Sequence, residues 1–277
     1  MLIGAHVSVA GGMAKAFGWV EKFGCESLQV FTKSQVQWAA KPLEGDDIYA
    51  WLCAWENAEW PPCMVHNCYL INLSSADETL RQKSVAAMID EVERAAVLGI
   101  PWVVTHPGAS KGTTVEQALE NCARSVREAL EQTDGCGVGI LLENTAGMGS
   151  HIGARFEELA QILQLTALPE QTGVCLDTCH AFAAGYDLRT AESYAGVWEQ
   201  FGKTVGFPML RAFHLNDCKS AFASHVDRHE AIGEGTISPK AFELLVNDPR
   251  FEGLPAVVEL KDEHVPGSME LLLGMRQ

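Results

Sequence analysis

The stretch Val174-Cys175-Leu176-Asp177-Thr178-Cys179-His180 begins as an apolar strand and ends on a carboxylate and an imidazole three positions apart. Both are good ligands for a borderline divalent ion such as zinc. Similar endings recur. The apolar runs that read as the third to eighth strands end in His66, His106, Glu143, Asp177, His214 and Glu259. Neighbouring segments add His180, Asp227 and His229. Taken alone, any one of these histidines reads as a hydrogen-bonded rim residue. Six strands in succession ending in ligand types is a pattern. The set of five imidazoles and four carboxylates exceeds the four donors that one zinc usually takes. It suits a cluster of two or three ions with one carboxylate bridging. Open coordination positions would make that cluster catalytic. Clustered divalent ions activate water near neutral pH and hold the oxygens of a phosphoryl group. Phosphodiester hydrolysis is therefore the leading reaction class.

Such residues act together only if the chain brings them to one place. The spacing predicts strands at Leu2 to Val7, Ser27 to Phe31, Cys63 to His66, Trp102 to Thr105, Val138 to Leu142, Val174 to Asp177, Met209 to Phe213 and Ala256 to Val258. Helical spacing fills the intervals at Met13 to Phe23, Asp46 to Glu59, Phe156 to Leu165, Arg189 to Lys203, Pro239 to Val246 and Ser268 to Met275. Two further helices start at the candidate capping boxes Ser75-x-x-Glu78 and Thr113-x-x-Glu116, and Gly99 stops the first of them. Eight strand–helix units predict a single closed (β/α)8 barrel over residues 1–277, with the site at the C-terminal face of the strands. An open doubly wound sheet would expect G-x-G-x-x-G after the first strand, and that motif is absent.

The chain is 47% hydrophobic, enough for a core, with no run long enough for a membrane span. Its start lacks a basic segment or cleavage pattern, so a cytoplasmic protein is expected. Nine cysteines without C-x-x-C read as reduced thiols; Cys175 and Cys179 read as apolar filler beside the site. A net charge of −16 argues against general nucleic-acid affinity. It leaves room for a local positive site made by bound metal.

The matching residues resemble the endonuclease IV family. They are Gly4-Ala5-His6-Val7-Ser8, Val65-His66, Tyr69-Leu70-Ile71-Asn72-Leu73, His106-Pro107-Gly108, Leu142-Glu143-Asn144-Thr145-Ala146-Gly147, Cys175 through Asp187, His214-Leu215-Asn216-Asp217 and Asp227-Arg228-His229-Glu230. They span nearly the whole chain in family order. The resemblance implies a barrel with three zinc ions, manganese sometimes substituting. It implies that His66, His106 and Glu143 hold the first metal. Glu143 bridges to a second, completed by Asp177, His214 and Glu259; His180, Asp227 and His229 hold the third. The implied reaction is cleavage of double-stranded DNA 5′ to an abasic site, leaving a 3′-hydroxyl, with removal of blocking groups from 3′ ends. Glu143 would also orient the nucleophile. Gln35, Val36, Gln37, Trp38, Tyr69 and Leu70 would enter the minor groove and help extrude the abasic nucleotide. Val36 stands where the family usually has arginine, and Leu260-Lys261-Asp262 follows Glu259 where Thr-Pro is usual.

The alternative is a sugar isomerase or epimerase on a similar barrel, which needs fewer metal ligands. A non-catalytic damage binder is a third reading, supported only by Val36 and the acidic balance. No exposed heptad is present, so a monomer is expected.

Overall fold

The structure is a computed structural model that describes residues 1–277. Eight parallel strands close into a barrel: β1 (Leu2–His6), β2 (Ser27–Val30), β3 (Cys63–His66), β4 (Trp102–Thr105), β5 (Gly139–Glu143), β6 (Thr172–Asp177), β7 (Leu210–His214) and β10 (Pro255–Val258). The remaining two strands, β8 (Asp217–Cys218) and β9 (His229–Glu230), form a small antiparallel hairpin. It lies in the connection after β7, where the spacing predicted only a long loop. The helices are α1 (Gly18–Phe23), α2 (Gly45–Asn57), α3 (Glu78–Val97), α4 (Val115–Gln132), α5 (Phe156–Thr166), α6 (Thr178–Ala184), α7 (Ala191–Thr204), α8 (Pro239–Val246) and α9 (Val265–Gly274). None is long and apolar enough to cross a membrane.

Several boundaries move from their predicted places. The α3 cap is Asp77, whose carboxylate accepts from the Thr79 and Leu80 amides; Ser75 instead supports the Asp77 amide. The α4 cap is Thr114 rather than Thr113, accepting from the Gln117 amide. In both cases the capping residue is the last one with extended backbone, and that position accepts from the first free amides. Gly99, at φ 74°, does end α3. The predicted first helix splits into a 3-10 turn, Met13–Phe17, and α1; α9 begins at Val265, earlier than Ser268.

Side chains of a strand alternate between its two faces. One alternate set packs outward against the helices and forms the main core, where Trp198 of α7 sits 5.8 Å from Phe213 and 4.5 Å from Phe251. The other set fills the barrel axis. Met64, Val104, Leu141, Cys175, Ala212 and Val257 make a separate apolar cluster there, against which Trp102 packs. Each belongs to a different strand. The residue two places further along each strand must face the axis too, one layer higher.

β1 meets β2 closely enough that a Cβ on Gly4 would overlap the Ser27 carbonyl. Gly4→Val is expected to destabilise the protein by about 3 kcal/mol, read as a lowered urea midpoint; an unchanged midpoint would refute this account of the β1–β2 contact.

Candidate metal centre

Two residues above the apolar cluster come His66, His106, Glu143, Asp177, His214 and Glu259. The same step takes Gly4 to His6 on β1 and Ser27 to Gln29 on β2, which pair with each other in register. Each barrel strand, or for β4 and β10 the residue just past its end, thus contributes one polar side chain to a single ring at the C-terminal ends.

Within the ring the donors form compact groups. His66, His106 and Glu143 offer atoms within 4.8 Å of one another, and so do Glu143, Asp177, His214 and Glu259. A third group, His180, Asp227 and His229, meets the same limit. Its members come from α6 and the β8–β9 hairpin. All nine sequence-predicted donors are therefore brought together, and Glu143 belongs to two groups. Cys179 is also near: its sulfur lies within 4.8 Å of donor atoms of Asp177 and His229. His225 and His264 stay outside. His225 faces the Ala146 carbonyl, and His264 is exposed at the start of α9.

The histidines share a polarity. One ring nitrogen faces carboxylates, and the other reaches a carbonyl oxygen. His66 Nε2 is 3.1 Å from Glu143, and its Nδ1 is 2.9 Å from the Asn67 carbonyl. His180 Nε2 is 3.2 Å from Asp227; its Nδ1 is 3.0 Å from the Asn144 carbonyl and also 3.1 Å from Glu143. His214 Nδ1 is 3.0 Å from Glu143, with Nε2 2.9 Å from Gln29 Oε1. His229 Nε2 is 3.5 Å from Asp177, with Nδ1 3.4 Å from the Glu259 carbonyl. An outward N–H donated to a carbonyl leaves the inward nitrogen free to bind a cation, which is how metal-ligating histidines are usually held. His106 departs from this; its buried Nδ1 has no partner in the protein.

Gln29, Asn144 and Asn216 are supports that sequence reading missed. Gln29 accepts from His214 and donates to Glu259 Oε1 at 2.8 Å and to His6 Nδ1 at 3.0 Å. Asn216 donates to Asp177 Oδ2 at 2.7 Å and accepts from the Glu259 amide at 2.8 Å. Asn144 exchanges two hydrogen bonds with the Asp177 backbone. Amides are not strong ligand types, so a search for ligands passes over them. The signal that finds Gln29 is its position, level with His6 on the neighbouring strand.

Asp177 does two things at once. Its Oδ1 caps α6 by accepting from the His180 amide at 2.6 Å. Thus the strand-to-helix turn fixes the Asp177–His180 spacing. Asp217 shapes the next loop, accepting from the amides of Cys218, Gly233, Gly235 and Ile237.

Burial would raise the pKa of Glu143, but His106, His214 and His180 outweigh it and hold the carboxyl well below the usual range. Burial opposes a charge on His180, yet Asp177, Asp227 and Glu143 lift its pKa well above the ordinary value. His214 is lifted likewise, against burial, by Cys175, Glu259 and Glu143. Burial pushes His106 down to about 4. Asp227, despite burial, is held at about 2 by His180, His229 and His106. Without a cation, the carboxylates favour the protonated imidazoles of His180, His214 and also His66, whose pKa Glu143 and Glu259 raise against burial. The donor chemistry fits a divalent-metal site in which ions replace those protons.

Two cavities lie over the ring. One, of about 550 Å³, is lined by His66, His106, His180, Asp227, Tyr69 and Leu70 among others. The second, of about 620 Å³, is lined by His6, Lys33, Gln35 and Asp262, and shares Tyr69, His229 and Glu259 with the first. Tyr69 stands between them, 59% exposed, its ring edge-on to Phe31 and His66. Of the predicted DNA-contacting residues, Gln35, Tyr69 and Leu70 thus border the cavities. Val36 projects into solvent beyond them. Trp38 does not join them; it is half-buried in a separate groove, with the Lys83 ammonium 4.3 Å above its ring.

Comparison with known proteins agrees with this geometry. The model of the xylose isomerase-like TIM barrel family matches residues 17–275. A probable endonuclease 4 of Chloroflexus aurantiacus is 44% identical over 256 residues, 92% of this chain and 90% of that protein. The corresponding protein of Campylobacter curvus is 42% identical over 266 residues, 95% of this chain and 93% of its own. The chain belongs to the endonuclease IV family. The crystal structure of endonuclease IV from Thermus thermophilus superposes with a TM-score of 0.87 at 33% identity, covering 99% of this chain and 98% of that one. A D-tagatose 3-epimerase-like protein shares the fold at TM-score 0.77 but only 21% identity.

Gln29→Leu removes the support of both His214 and Glu259. It is expected to weaken divalent-metal binding about 10–100-fold, measured by competition with a chelator; unchanged affinity would refute the role. Because the carboxylates raise the pKa of His66, His180 and His214, metal uptake at pH 7 should release protons. Affinity should also rise as pH rises. Calorimetry in buffers of different ionisation enthalpy reads the release, and a value near zero would contradict the charge balance derived above.

Proposed function

We propose that this chain is a DNA-repair hydrolase that cuts the phosphodiester 5′ to apurinic/apyrimidinic sites in double-stranded DNA, leaving a 3′-hydroxyl. It also clears blocking groups from 3′ ends. Family membership supports the endonuclease class. The observation that carries the reading is the third donor group, His180, Asp227 and His229, set beside the two groups of the barrel ring. A sugar epimerase on this fold needs one or two ions, so a third group has no work to do there.

The proposed ligand sets are His66, His106 and Glu143; Glu143, Asp177, His214 and Glu259; and His180, Asp227 and His229. Each set offers three or four donors, the number zinc usually takes. The cofactor is three zinc ions per chain, with manganese able to substitute. When bound, such ions lower the pKa of water and neutralise charge on phosphoryl oxygens.

The chain's own residues do the rest. Glu143, fully buried, is shared by two sets and fixes their spacing. Gln29, Asn144 and Asn216 hold the ligands in place before substrate arrives. Gln35, Val36, Tyr69 and Leu70 contact DNA at the mouth and help turn the abasic nucleotide out of the stack, which costs least where a base is missing. Trp38, in the same loop but in a separate groove beside the Lys83 ammonium, is a further candidate DNA contact outside the mouth. The chain acts as a monomer in the cytoplasm, on nucleoid DNA.

Incubation of metal-loaded protein with an abasic duplex tests the reading. Nicking on the 5′ side is expected; no nick with either zinc or manganese would sink it. Glu143→Ala should fold yet lose turnover by about two orders of magnitude or more. Elemental analysis should give three ions per wild-type chain, whereas one ion would favour the epimerase class.

A further inference from the structure

The two loops that border the cavities come from different parts of the chain. One, residues 31–44, follows β2; the other, residues 67–77, follows β3. Their tips touch, since the Tyr69 amide donates to the Gln35 carbonyl at 2.9 Å. Their bases meet on one side chain, Glu91 of α3.

Glu91 is 1% exposed. Its Oε2 accepts from the Thr32 hydroxyl of the first loop at 2.7 Å. Its Oε1 accepts from the Cys68 amide of the second loop at 3.2 Å. The Lys33 ammonium is 3.5 Å from the same Oε1 and donates to Asp90 at 2.6 Å. Arg94, three residues along α3 from Glu91, donates to the carbonyls of Thr32 and Lys41, each at 3.0 Å. None of these groups is a proposed metal ligand.

A buried carboxylate is costly unless donors satisfy it. Here the donors come from both loops, so either loop leaving its place strands part of the charge. That couples the loops. It also holds the Lys33 ammonium against α3, with its side chain 1% exposed. Loops ordered before binding lose less entropy when they engage a ligand.

We propose that Glu91 is a positioning residue for DNA engagement. It locks the Gln35–Val36 loop and the Tyr69–Leu70 loop into one arrangement, so that both tips meet the substrate together. This rests on the reading that those tips contact DNA.

Glu91→Gln keeps the side-chain shape and removes the charge that serves Lys33. With fully metal-loaded protein, KM for an abasic duplex should rise at least fivefold, while kcat and metal content stay at wild-type values. Hydrogen–deuterium exchange at the Cys68 and Tyr69 amides should accelerate. Thr32→Val removes the donor to Glu91 Oε2 but leaves Oε1 with the Cys68 amide and Lys33. It should raise KM at least twofold, and it decides the matter if Glu91→Gln does not fold. A KM within twofold of wild type with unchanged exchange in folded Glu91→Gln overturns the proposal. Parallel losses of kcat and metal content also overturn it, because they make Glu91 a general fold residue. If wild-type protein fails to nick abasic DNA, the substrate reading fails separately. The exchange comparison then decides alone, faster exchange supporting the coupling and unchanged exchange refuting it.

Discussion

In a closed parallel barrel, every second side chain of every strand must point at the axis. The middle of the axis is buried from solvent, and six of the strands supply apolar side chains there: Met64, Val104, Leu141, Cys175, Ala212 and Val257. One layer higher the barrel opens, and polar side chains become possible there. This chain places a polar residue at that level on, or just past the end of, all eight strands. The cost of crowding charge into a buried ring is met by interleaving signs, with Glu143 between His66 and His214 and Glu259 between His6 and His214.

Interleaving alone would leave the rings free to turn. The outward nitrogens of His66, His180, His214 and His229 are each tied to a carbonyl oxygen, so each inward nitrogen is already aimed. Asn216 and Gln29 do the same for the carboxylates. The site is thus held by groups that are not ligands themselves. A cation entering it meets donors that are already oriented and displaces protons more than it rearranges side chains.

A D-tagatose 3-epimerase-like protein shares this barrel, and a fold by itself does not select the chemistry. Selection lies in what is added above the ring. Capping of α6 by Asp177 brings His180 inward, and the β8–β9 hairpin carries Asp227 and His229 to meet it. The loops after β2 and β3 then raise Tyr69 and Gln35 beside the opening. The acidic net charge is no obstacle where fixed cations supply the local positive potential.

Strand–helix alternation was readable because a period of 2 and a period of 3.6 leave different marks in the order of apolar residues. The six ligand-bearing strand ends were readable because histidine and carboxylates are conspicuous after apolar runs. Capping positions were misplaced by one or two residues at Ser75 and Thr113, since adjacent polar residues compete and only the backbone turn chooses between them. Trp38 and Tyr69 looked alike in sequence as aromatic loop residues; packing under Lys83 separated one from the other. Gln29 carried no ligand signal at all. The amino-acid order by itself determined the barrel and the kinds of donor it offers, because alternation and residue chemistry are local properties. Which donors share an ion, which amides aim them and how two distant loops meet on Glu91 were decided only by closure, because those contacts join residues tens to hundreds of positions apart.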